Sequence, residues 1–208
     1  MHLPEWVRRL EVGPYATNVY LLHQANEILI IDPGGEGERI REALPSPPEK
    51  ISVFLTHGHA DHWAGLSVLL QVYPEIELLY PIGDELMIRK PHLGFLEYLG
   101  GHPIQLEGKA IQEPTTVQVG NLKFSVLNTP GHTSGHLALY GEGILFSGDL
   151  IFHGGVGRTD LPGSSLVQLR SSLKKVFALP PATLLSPGHG ALSTLENERA
   201  FQAELLRG

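Results

Sequence analysis

At 208 residues, with 42% apolar and 18% charged side chains, the chain is long enough to bury a full core and is globular rather than disordered. Its 22 acidic against 15 basic residues leave a formal net charge of −7, the wrong sign for a general nucleic-acid binder. The absence of cysteine removes disulfides, thiolate zinc sites, iron–sulfur clusters and cysteine nucleophiles together.

The segment from Met1 to Arg9 carries neither an apolar h-region nor a small-residue cleavage pattern, and no apolar run approaches the ~18 residues of a membrane span. A soluble cytoplasmic protein with no nucleic-acid and no membrane partner is expected, as a monomer or a small homo-oligomer. Residues 5–12 and 16–23 read as paired strands around Gly13-Pro14. The all-apolar run Ile28 to Ile31 reads as a buried strand that stops at Asp32-Pro33-Gly34-Gly35. Residues 37–44 read as a helix ended between Pro45 and Pro48, and 51–55 as the next strand. Helical spacing returns over 63–73, a strand over 76–80, and a helix broken at Pro91 over 83–99.

The second half is richer in strands: 115–119, 122–127, 136–140 and 143–146, with Gly120-Asn121 and Gly141-Glu142 as hairpin turns. A glycine-rich loop from His153 to Gly163 precedes a helix over 165–178, whose Leu166, Leu169, Leu173 and Val176 form one stripe. A short strand over 183–186 and a helix over 194–207, capped by Ser193 or Thr194, complete the chain. No linker, charge run or low-complexity segment interrupts it, so one domain over 1–208 is expected. Strands followed by helices in each half suggest two sheets face to face with helices on both outer faces.

The chemistry concentrates at strand ends. Thr56-His57-Gly58-His59-Ala60-Asp61-His62 follows the strand 51–55 directly and places three imidazoles and a carboxylate within six positions. Such a group of donors is the ligand set of zinc, iron or manganese. The pattern returns three times: Asn128-Thr129-Pro130-Gly131-His132, Ser147-Gly148-Asp149 and Pro187-Gly188-His189 each follow an apolar strand. His57, His59, Asp61, His62, His132, Asp149 and His189 exceed what one tetrahedral zinc uses. They suit two divalent ions about 3.5–4 Å apart that share a carboxylate and a hydroxide. His57 and His59 alternate toward one ion, while Asp61 and His62 reach round to the other. Zinc is the expected metal, with iron or manganese also accepted by nitrogen and oxygen donors.

These four motifs, in this order, resemble the metallo-β-lactamase superfamily. The resemblance implies an α/β (α+β) fold, an αββα four-layer sandwich with the metals in a cleft at the sheet edges. It implies His57, His59 and His132 on one ion, Asp61, His62 and His189 on the other, and Asp149 bridging. Asp32 matches a carboxylate that orients the ligand loop. Thr129 to His136, and Phe146 to Phe152 followed by Gly157-Arg158-Thr159-Asp160-Leu161-Pro162-Gly163, are similar to the glyoxalase II group in its short bacterial form.

The implied activity is hydrolysis of a small-molecule thioester or ester, of the hydroxyacylglutathione type, by a hydroxide held between the ions. Asp61 and Asp149 are the catalytic carboxylates, and Asp61 also relays a proton. Arg158 is a candidate to bind a substrate carboxylate. The chain departs from full-length glyoxalase II after His189, where only Arg199 and Arg207 are basic, so a different thioester or ester is open. The Thr56–His62 motif and Gly157-Arg158-Thr159-Asp160 are also similar to the persulfide dioxygenase group, which uses a single iron held by two His and one Asp. His136 favours the hydrolase side, since dioxygenases of that group often lack His there, and it is expected to start a strand and orient its neighbours rather than bind metal.

Overall fold

The computed structural model describes residues 1–45 and 48–202. Ser46 and Pro47 within the expected helix stop, the end of the expected 194–207 helix, and Arg207 lie outside the described residues.

Largely continuous apolar runs, buried on both faces, build the first sheet. Strands β1 (Val7–Val12), β2 (Thr17–Gln24) and β3 (Glu27–Ile31) run antiparallel, Val12 opposite Thr17 and Tyr20 opposite Ile31. Helix α1 (Gly37–Ala43) carries the chain over to β4 (Lys50–Phe54), and α2 (Leu66–Val72) carries it to β5 (Glu77–Pro81). Helices α3 (Glu85–Arg89) and α4 (Leu93–Tyr98) precede β6 (Lys109–Ile111). The strands β3 to β6 are parallel, as helical crossovers require, and the sheet order is β1-β2-β3-β4-β5-β6.

The second sheet begins with a meander: β7 (Thr115–Val119), β8 (Leu122–Asn128), β9 (Leu137–Gly141) and β10 (Ile144–Gly148). A small hairpin of β11 (Ile151–Phe152) and β12 (Gly155–Val156) follows, then α5 (Leu166–Val176), β13 (Leu184–Pro187), β14 (Ser193–Thr194) and α6 (Leu195–Phe201). The order is β14-β13-β10-β9-β8-β7, with β13 parallel to β10. Ser165 and Thr194 cap α5 and α6 through their hydroxyls.

Period-two alternation sorts each strand between two cores. Tyr20, Leu22, Leu29, Ile31 and Phe54 of the first sheet meet Phe124, Val126, Leu139 and Phe146 of the second. Their neighbours Val19, Leu21, Ile28, Ile30 and Val53 face outward, against Ile40 of α1, Trp63, and Leu66 and Leu69 of α2. On the far side Ala138, Leu145 and Leu185 pack on Leu169, Leu173 and Val176 of α5. Each fully buried Val, Leu, Ile or Phe among them contributes about 1.5–3 kcal/mol. The all-apolar run in β3 is explained by this: both of its faces are covered. The result is the four-layer αββα sandwich expected from the sequence.

The boundaries differ from the sequence reading in small ways. The two-residue turn between β9 and β10 is Glu142-Gly143, one residue later than expected; φ is +52° and +75° there, as a primed hairpin turn requires. Gly141 remains in the strand. The short strands β6, β11, β12 and β14 were not expected, because two or three residues carry no periodicity. No helix among the described residues is long and apolar enough to cross a membrane.

Candidate metal centre

At one end of the sandwich the two sheets are stitched together by backbone. Leu137 N–H donates to Thr56 carbonyl at 2.8 Å and Asn18 N–H to Gly188 carbonyl at 2.7 Å. At this end β4, β8, β10 and β13 deliver the four histidine and aspartate motifs, and all seven expected donors meet there. His57, His59 and His132 form one group, and Asp61, His62 and His189 another; a third grouping joins His57, His62 and Asp149. Within each, one donor atom per residue lies within 4.8 Å of the others.

Hydrogen bonds behind the rings decide which nitrogen faces inward. Asp32 sits in the left-handed region at φ +52°, which aspartate tolerates better than most residues. Its carboxylate accepts from Thr56 N–H at 2.8 Å, Thr56 Oγ1 at 2.7 Å and His62 Nδ1 at 2.9 Å. With its proton committed to Asp32, Thr56 Oγ1 accepts from His57 Nδ1 at 3.0 Å. His132 Nδ1 donates to Arg158 carbonyl at 3.0 Å, and His189 Nδ1 to Tyr15 carbonyl at 2.9 Å. In all four rings Nδ1 is thus engaged from behind and Nε2 faces inward, the nitrogen a metal would take once no proton holds it.

The inward atoms crowd. His59 Nδ1 lies 3.1 Å from His57 Nε2 and 2.9 Å from His132 Nε2, and His62 Nε2 lies 3.2 Å from His189 Nε2. Lone pairs so placed repel unless a proton or a cation lies between them. Asp149 Oδ1 is buried with no hydrogen-bond partner among the described residues. This donor set fits divalent cations: imidazole nitrogens converge, and a buried carboxylate oxygen lacks a hydrogen-bond partner among the described residues.

Electrostatics agree. Burial, reinforced by the neighbouring imidazoles, holds His57 well below the usual histidine range and His59 down to about 4. Burial opposes the charge on Asp149 and Asp61, yet the surrounding histidines hold both carboxyls below their ordinary value. His62 is held above its ordinary range by Asp149, Asp32 and Asp61 against the pull of burial. A cation among three carboxylates would displace that proton.

Small residues permit the approach. A Cβ on Gly34 would lie 1.9 Å from the Asp61 carbonyl, and one on Gly157 1.9 Å from the Asp149 carbonyl. His136 is buried beside the cluster: Thr129 Oγ1 lies 2.9 Å from its Nδ1, and its Nε2 accepts from Asp149 N–H at 3.1 Å. That bond ties it to the loop carrying Asp149, while the strand expected from 136 begins one residue later, at Leu137. Arg158 contributes its carbonyl to His132, while its exposed guanidinium forks onto Asp160 with two contacts of 2.9 Å. Arg199 lies away from the cluster, stacked over Phe177 with its guanidinium 5.2 Å from the ring centre. His153 is exposed and bonds Glu198 at 2.9 Å.

Sequence reasoning missed Asp84 and Tyr15. Asp84 is fully buried and touches both ligand loops. Tyr15 acts only through its carbonyl, for which no residue type is diagnostic.

The family model described as Metallo-beta-lactamase superfamily matches residues 12–189. The chain belongs to the metallo-β-lactamase superfamily. Family and donor cluster together make it a metal-dependent hydrolase. It is 32% identical to the probable metallo-hydrolase YqgX of Bacillus subtilis over 88% of this chain and 89% of that one. It is 30% identical to hydroxyacylglutathione hydrolase of Aeromonas salmonicida over 82% of this chain, but spans only 60% of that enzyme's length. Among solved superfamily structures, the di-iron-bound form of TTHA1623 superposes with a TM-score of 0.81 at 33% identity, covering 92% of this chain and 96% of that one. ETHE1 from Myxococcus xanthus superposes with a TM-score of 0.76 at 26% identity, covering 97% and 84%.

Proposed function

We propose that the chain is a glyoxalase II-like thioesterase: a hydrolase of a small-molecule thioester, or of a related ester, that works with two divalent ions. The observation that carries this reading is the position of Asp149 between the two donor groups. Its Oδ1 lies 3.3 Å from His62 Nε2 and 3.6 Å from His189 Nε2, and its Oδ2 3.5 Å from His132 Nε2. One oxygen is thus turned to each group, as a bridging carboxylate requires. His57, His59 and His132 would hold the first ion, and Asp61, His62 and His189 the second. Zinc suits the donors, as do iron and manganese.

Two ions so held would supply an acidified water as nucleophile and polarise the scissile carbonyl. The chain's own residues supply the rest. Asp61 Oδ2, 3.4 Å from His189 Nε2, is placed to take a proton and return it to the leaving thiolate or alkoxide. Asp32, through Thr56 and His62, keeps two rings in the tautomer that leaves Nε2 bare. Arg158 would exchange Asp160 for a carboxylate of the substrate, which the exposure of both side chains permits. Support for the thioester comes from the relative named hydroxyacylglutathione hydrolase; glutathione itself would need cationic partners other than Arg199, which is occupied by Phe177.

The test is Asp149→Ala with elemental analysis beside a panel of thioesters, esters and glutathione persulfide. Two ions per wild-type chain, thioester cleavage without oxygen uptake, and loss of both in the variant are expected. Retention of two ions and full thioesterase activity in Asp149→Ala defeats the bridging assignment. One iron per chain with sulfite formed from the persulfide favours the dioxygenase reading instead.

A further inference from the structure

Asp84 ends the 3-10 turn Ile82–Asp84 that leads directly into α3, and its side chain is wholly removed from solvent. A buried carboxylate is stable only where donors satisfy it. Three do so here. Gly58 N–H donates to Oδ2 at 2.9 Å, Thr133 Oγ1 to the same oxygen at 2.6 Å, and Gly135 N–H to Oδ1 at 2.8 Å. Gly58 lies between His57 and His59, and Thr133 directly follows His132. The carboxylate therefore joins the two loops that carry the three donors of the first group, which lie 73 residues apart in the chain.

The junction is built for close approach. A Cβ on Gly58 would meet Asp84 Cβ at 2.9 Å, one on Gly135 would meet Asp84 Oδ1 at 2.6 Å, and one on Gly83 would meet Gly135 Cα at 2.7 Å. None of the side chain's hydrogen bonds among the described residues reaches Asp61, His62 or His189.

We propose that Asp84 is a positioning residue for the first ion alone: it sets the His57–His59 loop against the His132 loop, at the spacing that ion needs. Its partners are neutral dipoles, so its negative charge also favours a cation among the three imidazoles. An amide cannot replace it, because its –NH2 group would face a backbone N–H, that of Gly58 or that of Gly135, in either orientation. This inference rests on the two-ion reading.

Wild type and Asp84→Asn are stripped of metal and reloaded from a buffered series of free zinc concentrations. Ions per chain are counted, and near-ultraviolet circular dichroism confirms folding at each point. One binding step in Asp84→Asn is expected to weaken about 10- to 100-fold while the other stays within about twofold. In a His189→Ala background, which retains the first group, the full shift persists; in a His59→Ala background it disappears. A purely structural latch would lower the thermal stability of the metal-free protein yet leave the ratio of the two affinities unchanged, and that result overturns the proposal, as does no change at all. Should Asp84→Asn fail to fold, Thr133→Val decides: it shifts the first step and Thr133→Ser does not, or the proposal falls. A wild type that takes up one ion defeats the two-ion reading separately, and Asp84 is then judged on whether that single step shifts.

Discussion

His136 accepts the backbone N–H of Asp149 through Nε2 at 3.1 Å while Thr129 Oγ1 accepts from its Nδ1. Burial, with His132 adding to it, pushes this imidazole down to about 3, so it stays neutral and keeps the acceptor that Asp149 needs. His136→Ala leaves that N–H buried and unpaired. The variant should lose about 10- to 100-fold in kcat/KM and bind metal more weakly. Activity assays and elemental analysis check both.

Asp32→Asn should act on the second ion through His62 and on the first through Thr56 and His57. An asparagine keeps one acceptor but sets an –NH2 against the protons on Thr56 or His62. Metal affinity is expected to fall about 10- to 100-fold at both steps. A metal titration that shows only one step weakened would contradict the shared role of Asp32.

Gly34→Ala forces a methyl to within 1.9 Å of the Asp61 carbonyl. The contact is with backbone, so Asp61 must move rather than a flexible side-chain tip. The second ion is expected to be lost while the first is retained, which counting ions per chain resolves.

The pH response of the C-terminal region follows from Glu198. Burial works against its charge, but Ser193 Oγ, Gly154 N–H and His153 together hold the carboxyl below its ordinary 4.5. A carboxyl with a lowered folded-state value stabilises the fold above its unfolded value and loses that contribution as pH falls through the folded one. Glu198→Gln should therefore destabilise by about 1–3 kcal/mol at neutral pH. The gap between the two proteins should narrow below pH 4.5, as urea unfolding at several pH values would show.

Arg158→Ala should raise KM for a carboxylate-bearing thioester about tenfold, equivalent to about 1.4 kcal/mol, with kcat little changed. An uncharged thioester should show no difference. Equal effects on both substrates would leave Arg158 only the backbone role at His132.

The cluster of histidines and aspartates was legible in the sequence because each member sits in a local motif: a strand, small residues, then a metal-type side chain. The four layers were legible from the sets of strands followed by helices in each half and from the unbroken apolar run of β3. Asp84 was not, since its partners lie 26, 49 and 51 residues away and nothing around it marks a buried carboxylate. Tyr15 was hidden for another reason, because a main-chain carbonyl leaves no trace in residue type. The position of the Glu142-Gly143 turn depends on pairing register, which one strand alone does not fix.

Both donor groups draw from both halves of the sandwich: His57 and His59 with His132, Asp61 and His62 with His189. An ion held in either place would thus be a rivet through the seam between the sheets. Parting the sheets and releasing metal become one event, so free metal at about 100 times its dissociation constant would add about 2.7 kcal/mol to the folded state. A chelator, by the same linkage, would remove a fastener that acts beside the backbone hydrogen bonds already joining the sheets at this end.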